Sequence, residues 1–184
     1  MGNILSNQFS FLFFYKKNRV TDLAVVLVDM QPEFTDNLQE DVFDSIISAQ
    51  LEIVESCTKF DVPVIVLEFK GCSCTVPELS KPLRSVPRLS VIEKKDDDGF
   101  TNRLLSRTLC SYGSKRILLT GINASVCVLK TAKSALRLGF SVHTSEDLIA
   151  DESDLWVNEQ IVDWYANNCV LHEGAPQIQK LIGK

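Results

Sequence analysis

The sequence predicts an α/β protein: a three-layer α/β/α arrangement around a Rossmann-like sheet of about six mostly parallel strands. Two patterns carry that expectation. Short, uninterrupted apolar runs such as Leu23-Ala24-Val25-Val26-Leu27-Val28 recur along the chain, and a strand apolar on both faces suits a sheet covered by helices on both sides. Between these runs lie segments whose apolar residues recur at helical spacing, so strands and helices alternate, as parallel crossover connections require.

The first strand is expected over residues 23–28 and ends abruptly at Asp29. Val42, Ile46, Ile47, Ala49, Ile53 and Val54 then mark a helix over 41–60, and a second apolar strand follows at 63–67. Pro77, Pro82 and Pro87 punctuate what reads as a loop, after which 90–93 forms a short strand. Leu104, Leu105 and Leu109 share a face of a helix over 101–112, which Gly113 stops. Ile117-Leu118-Leu119-Thr120 is another buried strand, and 121–126 reads as a turn. Helical spacing resumes from Cys127 to Leu138 through Val128, Leu129, Ala132, Ala135 and Leu136. The remainder reads as a strand at 140–144, a helix at 155–167, a strand at 169–171 and a helix at 175–182.

At 184 residues the chain suits a single folded domain, expected at 21–184. A net charge of -5 offers no basic surface for nucleic acid, so a small molecule is the expected partner. The six cysteines, Cys57, Cys72, Cys74, Cys110, Cys127 and Cys169, read as reduced thiols of a cytoplasmic protein. Cys72 and Cys74 form a C-x-C pair with neither His143 nor His172 nearby in sequence, too few ligands for structural zinc. No metal and no cofactor are expected. Residues 1–20 form a leader: Phe9, Phe11, Leu12, Phe13 and Phe14 precede Lys16, Lys17 and Arg19, a run too short to span a bilayer. Met1-Gly2-Asn3-Ile4-Leu5-Ser6 fits the N-myristoylation pattern, so a peripheral membrane contact through Gly2 is one alternative and a flexible or partner-packed leader with a chance match the other.

Residues directly after parallel strands face the crevice where such folds bind ligands. Three stand out: Asp29 after the first strand, Lys94 after the third, and Cys127 where the turn after the fourth becomes a helix. A helix start surrounds a cysteine with unpaired N–H groups and the positive dipole end, which favour a thiolate and can bind an oxyanion. Asp29 is suited to general base and acid work, with Lys94 holding charge and position.

On these residues the sequence resembles the isochorismatase-like superfamily of cysteine hydrolases. Asp29-Met30-Gln31-Pro32-Glu33-Phe34 looks like the family's D-x-Q-x-x-F. Lys94-Lys95-Asp96-Asp97-Asp98-Gly99-Phe100 is similar to its lysine segment, the spacing to Phe100 selecting Lys94 over Lys95. Leu119-Thr120-Gly121-Ile122-Asn123-Ala124-Ser125-Val126-Cys127-Val128 looks like its strand, glycine turn and helix start. The resemblance covers about residues 21–183 and implies a catalytic trio of Asp29, Lys94 and Cys127. It further implies a cis peptide between Ile122 and Asn123, an oxyanion hole from the Asn123 and Cys127 N–H groups, and a homo-oligomer. Gln31, Phe34 and Phe100 become candidates to line the substrate pocket.

Ala124 and Ser125 stand where the family commonly has Thr and Asp, so the support of Cys127 is expected to differ. Glu68-Phe69-Lys70-Gly71-Cys72 lacks the histidines of the metal-dependent nicotinamidases in this superfamily. The expected activity is therefore hydrolysis of a C–N bond, amide or ureide, through a thioester on Cys127; the alternative is a catalytically silent binding protein on the same scaffold. Trp156 and Trp164 are expected to pack on the sheet or a partner, and His143 and His172 to serve the core or an edge.

Overall fold

The computed structural model describes residues 21–152 and 158–183. The strands are β1 (Leu23–Val28), β2 (Val64–Phe69), β3 (Leu89–Lys94), β4 (Arg116–Ile122), β5 (Ser141–Ser145), β6 (Ile149–Ala150) and β7 (Val170–His172). The helices are α1 (Pro32–Thr35), α2 (Glu40–Phe60), α3 (Pro77–Leu83), α4 (Arg103–Ser111), α5 (Cys127–Arg137), α6 (Glu159–Asn168) and α7 (Ala175–Ile182). The sheet runs β3-β2-β1-β4-β5-β7, with β6 beside the end of β4, and every pairing is parallel. The expected α/β class with a Rossmann-like parallel sheet is what the chain adopts.

All six residues of β1 are buried, and their alternation splits them between two cores. Leu23, Val25 and Leu27 join Ile46, Ile53, Leu79 and Ile178, from α2, α3 and α7. Ala24, Val26 and Val28 join Leu105, Leu109, Val128, Ala132 and Tyr165, from α4, α5 and α6. A strand between two helical layers has no polar face to show, which explains the unbroken apolar runs.

Several elements differ from the expected ones for identifiable reasons. The stretch read as a proline loop contains α3. Pro77 falls in its first turn, where a missing N–H costs nothing, Pro82 falls near its end, and Leu79 and Leu83 are buried. Gly121 and Ile122 continue β4 and do not belong to the turn, since β6 pairs with both; two residues are too few to announce a strand by periodicity. The helix from residue 101 begins at Arg103, after a 3-10 turn over Gly99–Thr101. Part of the helix expected over 155–167, with Trp156, lies outside the described residues; its remainder is α6, which Asn158 caps by accepting from the Gln160 N–H. The leader at 1–20, including Gly2, also lies outside them. Among the described residues no helix is long and apolar enough to cross a membrane.

The chain lays β2 and β3 on one side of β1 and places β4, then β5, on the other. Adjacent crossovers therefore leave in opposite directions at the carboxyl ends of β1 and β4, opening a crevice there. Val28 of β1 is in register with Gly121 of β4. A Cβ on Gly121, whose φ is +123°, would stand 2.0 Å from the Val28 carbonyl oxygen. Only glycine lets the two strands close at this point.

Candidate active site

Asp29 is the first residue beyond β1 and takes a left-handed conformation at φ 51°, which aspartate tolerates better than most residues. Its N–H donates to the Leu67 carbonyl on β2 at 3.0 Å and its own carbonyl receives the Gln31 N–H at 2.8 Å. Lys94 closes β3, two strands away, so its side chain must cross the end of β2. It does so with its ammonium 4.5 Å from the centre of the Phe69 ring, reaching Asp29 Oδ2 at 2.7 Å with both side chains buried. The ammonium also donates to the Asp96 carbonyl at 3.1 Å. Only a long side chain bridges that gap, which is why lysine belongs at the end of β3.

Cys127 is the first residue of α5 and is 4% exposed. The Ile122–Asn123 peptide in the turn before it is cis. Around that turn the Ala124 N–H donates to the Ala150 carbonyl, while the Val126 and Val128 N–H groups both donate to the Asn123 carbonyl. The Ser125 N–H and hydroxyl both donate to Asp151 Oδ1 at 2.8 Å. Asn123 holds Glu152 through its side chain, donating to Oε1 and accepting the Glu152 N–H at 2.9 Å each. The buried Tyr165 hydroxyl donates to the Ala124 carbonyl at 2.8 Å. Among the described residues the N–H groups of Asn123 and Cys127 have no acceptor in this network.

The charges are uneven. Burial raises the Asp29 carboxyl above the ordinary range, the adjacent Lys94 opposing that rise. Its oxygens receive no hydrogen bond of ordinary angular geometry, Oδ2 meeting the ammonium as an ion pair. Burial first, then the Asp29 charge, push the Cys127 thiol up to about 12. Desolvation and a facing carboxylate thus act against the helix end, which favours a thiolate.

The other residues singled out in the sequence take different places. Gln31 is fully buried and its amide is consumed by backbone: it receives the Phe69 N–H and donates to the Ser73 carbonyl, 2.6 and 2.5 Å away. It braces the loop after β2, as do Glu33, which accepts from Ser73, and Glu68, which accepts from Thr75. Phe34 packs edge-on against Phe69, their centres 6.2 Å apart. Phe100 packs on Phe140, beyond the end of α5 opposite Cys127. His143 and His172 stack, their nearest ring nitrogens 3.0 Å apart, at the β5–β7 edge. Trp164 packs edge-on to Tyr165. All six cysteines are free, Cys74 and Cys110 exposed.

Sequence reasoning missed Asp97, Asp151 and Tyr165. The run Asp96-Asp97-Asp98 entered only as part of the lysine segment, yet Asp98 caps the 3-10 turn by accepting from the Phe100 N–H, and Asp97 reaches the Cys127 sulfur. Ser125, noted as a departure from the usual turn, was the available signal for Asp151.

The sequence model of the Isochorismatase domain matches residues 23–169. The chain belongs to the isochorismatase family. It is 27% identical to isochorismatase family protein 1A of Dictyostelium discoideum over 131 residues, 70% of this chain and 63% of that protein. The chain thus spans somewhat under two-thirds of that relative's length. In fold it is similar to N-carbamoylsarcosine amidase from Thermoplasma acidophilum, with TM-score 0.70, 21% identity and coverage of 82% and 95% of the two chains. It is also similar to the octameric YcaC hydrolase of Escherichia coli, with TM-score 0.67, 23% identity and coverage of 82% and 74%.

Proposed function

We propose that this protein is a cysteine hydrolase that cleaves a C–N bond, amide or ureide, in a small molecule. The observation that carries the reading is the buried Asp29–Lys94 ion pair set against Cys127 at the start of α5. A thiol at about 12 needs a base at the moment of attack, and the Asp29 carboxylate is the base beside it. As Sγ bonds to the carbonyl carbon, Asp29 takes the thiol proton, and the developing oxyanion lies against the Asn123 and Cys127 N–H groups. Asp29 then gives the proton to the departing nitrogen, and the C–N bond breaks to leave a thioester. Water attacks the thioester, Asp29 accepting its proton and returning it to the sulfur. Lys94 keeps the carboxylate ionised between these transfers.

Family membership supports a hydrolase, and the fold neighbour named as an amidase is consistent with the bond type. The octameric neighbour supports assembly of several copies, which we adopt as part of the same reading. Intact mass after exposure to an electrophilic amide or aldehyde tests the chemistry. The expected result is an adduct on Cys127, absent in Cys127→Ala. Equal labelling of the alanine variant at this site would overturn the mechanism. A panel of amides that protects against unfolding without product would instead favour a silent binding protein.

A further inference from the structure

Two ion pairs flank the Cys127 sulfur, and the reaction above uses only the inner one. The outer pair is Asp97, on the loop after β3, with Lys130, one turn along α5 from Cys127. The Lys130 ammonium sits 2.6 Å from Asp97 Oδ2, their side chains 54% and 38% exposed. The other oxygen, Oδ1, lies 3.9 Å from Cys127 Sγ. Among the described residues that oxygen has no other donor.

The arrangement is asymmetric in charge. Asp29 and Lys94 are buried, so a substrate arriving from solvent meets the outer pair. Lys130 occupies the far oxygen and faces solvent, while the near oxygen faces the reacting atom. Lys130 also holds the Asp97 carboxyl below its ordinary range, so the near oxygen carries charge at neutral pH. Asp97, like Asp29, pushes the thiol up.

We infer that Asp97 is a specificity-determining residue: its Oδ1 receives an ammonium or N–H-rich group beside the scissile carbonyl. The site therefore selects amides or ureides with a cationic or donor-rich substituent there and disfavours those with a carboxylate. Lys130 tempers the preference without reversing it, because it pairs with the other oxygen, Oδ2. The inference rests on Cys127 being the nucleophile.

The test uses the full chain and two thiol reagents of matched length, 2-aminoethyl and 2-sulfonatoethyl methanethiosulfonate. Each forms a mixed disulfide with Cys127 and releases methanesulfinate. Peptide mass mapping separates Cys127 from the exposed Cys74 and Cys110. The cationic reagent is expected to label Cys127 about fivefold faster than the anionic one, the scale of a partly exposed charge interaction. Asp97→Asn should collapse that ratio and Lys130→Met should raise it, with Cys74 and Cys110 as internal references that do not change. A ratio unchanged in Asp97→Asn, including a uniform loss of both rates, overturns the inference. Should that variant fail to fold, an unchanged ratio in Lys130→Met overturns it equally. Cys127 labelled by neither reagent overturns both this inference and the nucleophile reading. A shifted ratio with no amide turnover supports charge selection at the thiol and overturns only the hydrolytic reading.

Discussion

The Asp29 carboxylate and the Lys94 ammonium are almost wholly hidden from water, and a buried charge is tolerable only while its partner remains. The Asp29 pKa is raised in the fold, so its contribution to stability is full below the unfolded value and is lost as pH rises through the folded one. At neutral pH the pair is therefore kept for chemistry rather than for stability. Asp29→Ala or Lys94→Ala alone should each cost about 3–5 kcal/mol, because each strands the opposite charge. Asp29→Leu with Lys94→Met should be closer to wild type than either single change. Urea denaturation of the four proteins checks this; a double variant that loses the sum of the two single costs would show that the charges are independent. Asp29 was legible because it directly follows an apolar run, and Lys94 because it follows an expected strand and its spacing to Phe100 matches the family's lysine segment. Asp97 was not, since one acidic residue among three carries no mark of which one turns toward the sulfur. The upward push on the thiol was not legible either, because burial and a carboxylate brought from β1 are properties of the assembled site.

Gly121 shows how one element positions the whole site. A methyl there would stand 2.0 Å from the Val28 carbonyl oxygen and 2.8 Å from Val28 N and C, on a backbone at φ +123°. Gly139 also has a positive φ, +86°, yet nothing lies within 4 Å of its would-be Cβ. Gly121→Ala should thus cost about 3–5 kcal/mol, overpacking added to backbone strain, while Gly139→Ala should cost about 1–2 kcal/mol, the conformational penalty alone. Chemical denaturation of the two variants checks the difference, and equal costs would contradict the close approach of β1 and β4. Such contact explains which elements could be read in advance. The span of α7 agrees with its sequence pattern, because Ala175, Ile178 and Ile182 repeat along one buried face. The pattern of α3 was obscured by Pro77 and Pro82, and β6 had no pattern of its own, being ordered by pairing with Gly121 and Ile122. Tyr165 is similar: its hydroxyl supports the Ala124 carbonyl from a helix 41 residues away in sequence.

One sheet separates two apolar cores, and β1 and β4 contribute to both: Leu118 lies in the core with α2 and α7, Leu119 in the core with α4 and α5. Neither helical layer can bury its apolar face without the sheet, and the sheet cannot lose one layer without exposing strands that are apolar on both sides. The two cores should therefore unfold together while responding to mutation separately. Ile53 on α2 is 1% exposed and Leu109 on α4 is 0% exposed, and they belong to different cores. Ile53→Ala and Leu109→Ala should each cost about 2–5 kcal/mol from lost transfer energy and the cavity left behind. Because the intervening strands keep the two cavities from sharing neighbours, the double variant should lose the sum to within about 0.5 kcal/mol. Calorimetry should nonetheless show one transition in each protein, with calorimetric and van't Hoff enthalpies equal. A second transition appearing in either single variant would mean that the two layers fold as independent units, and a crevice built from the ends of β1, β3 and β4 would then no longer be held by a single cooperative sheet.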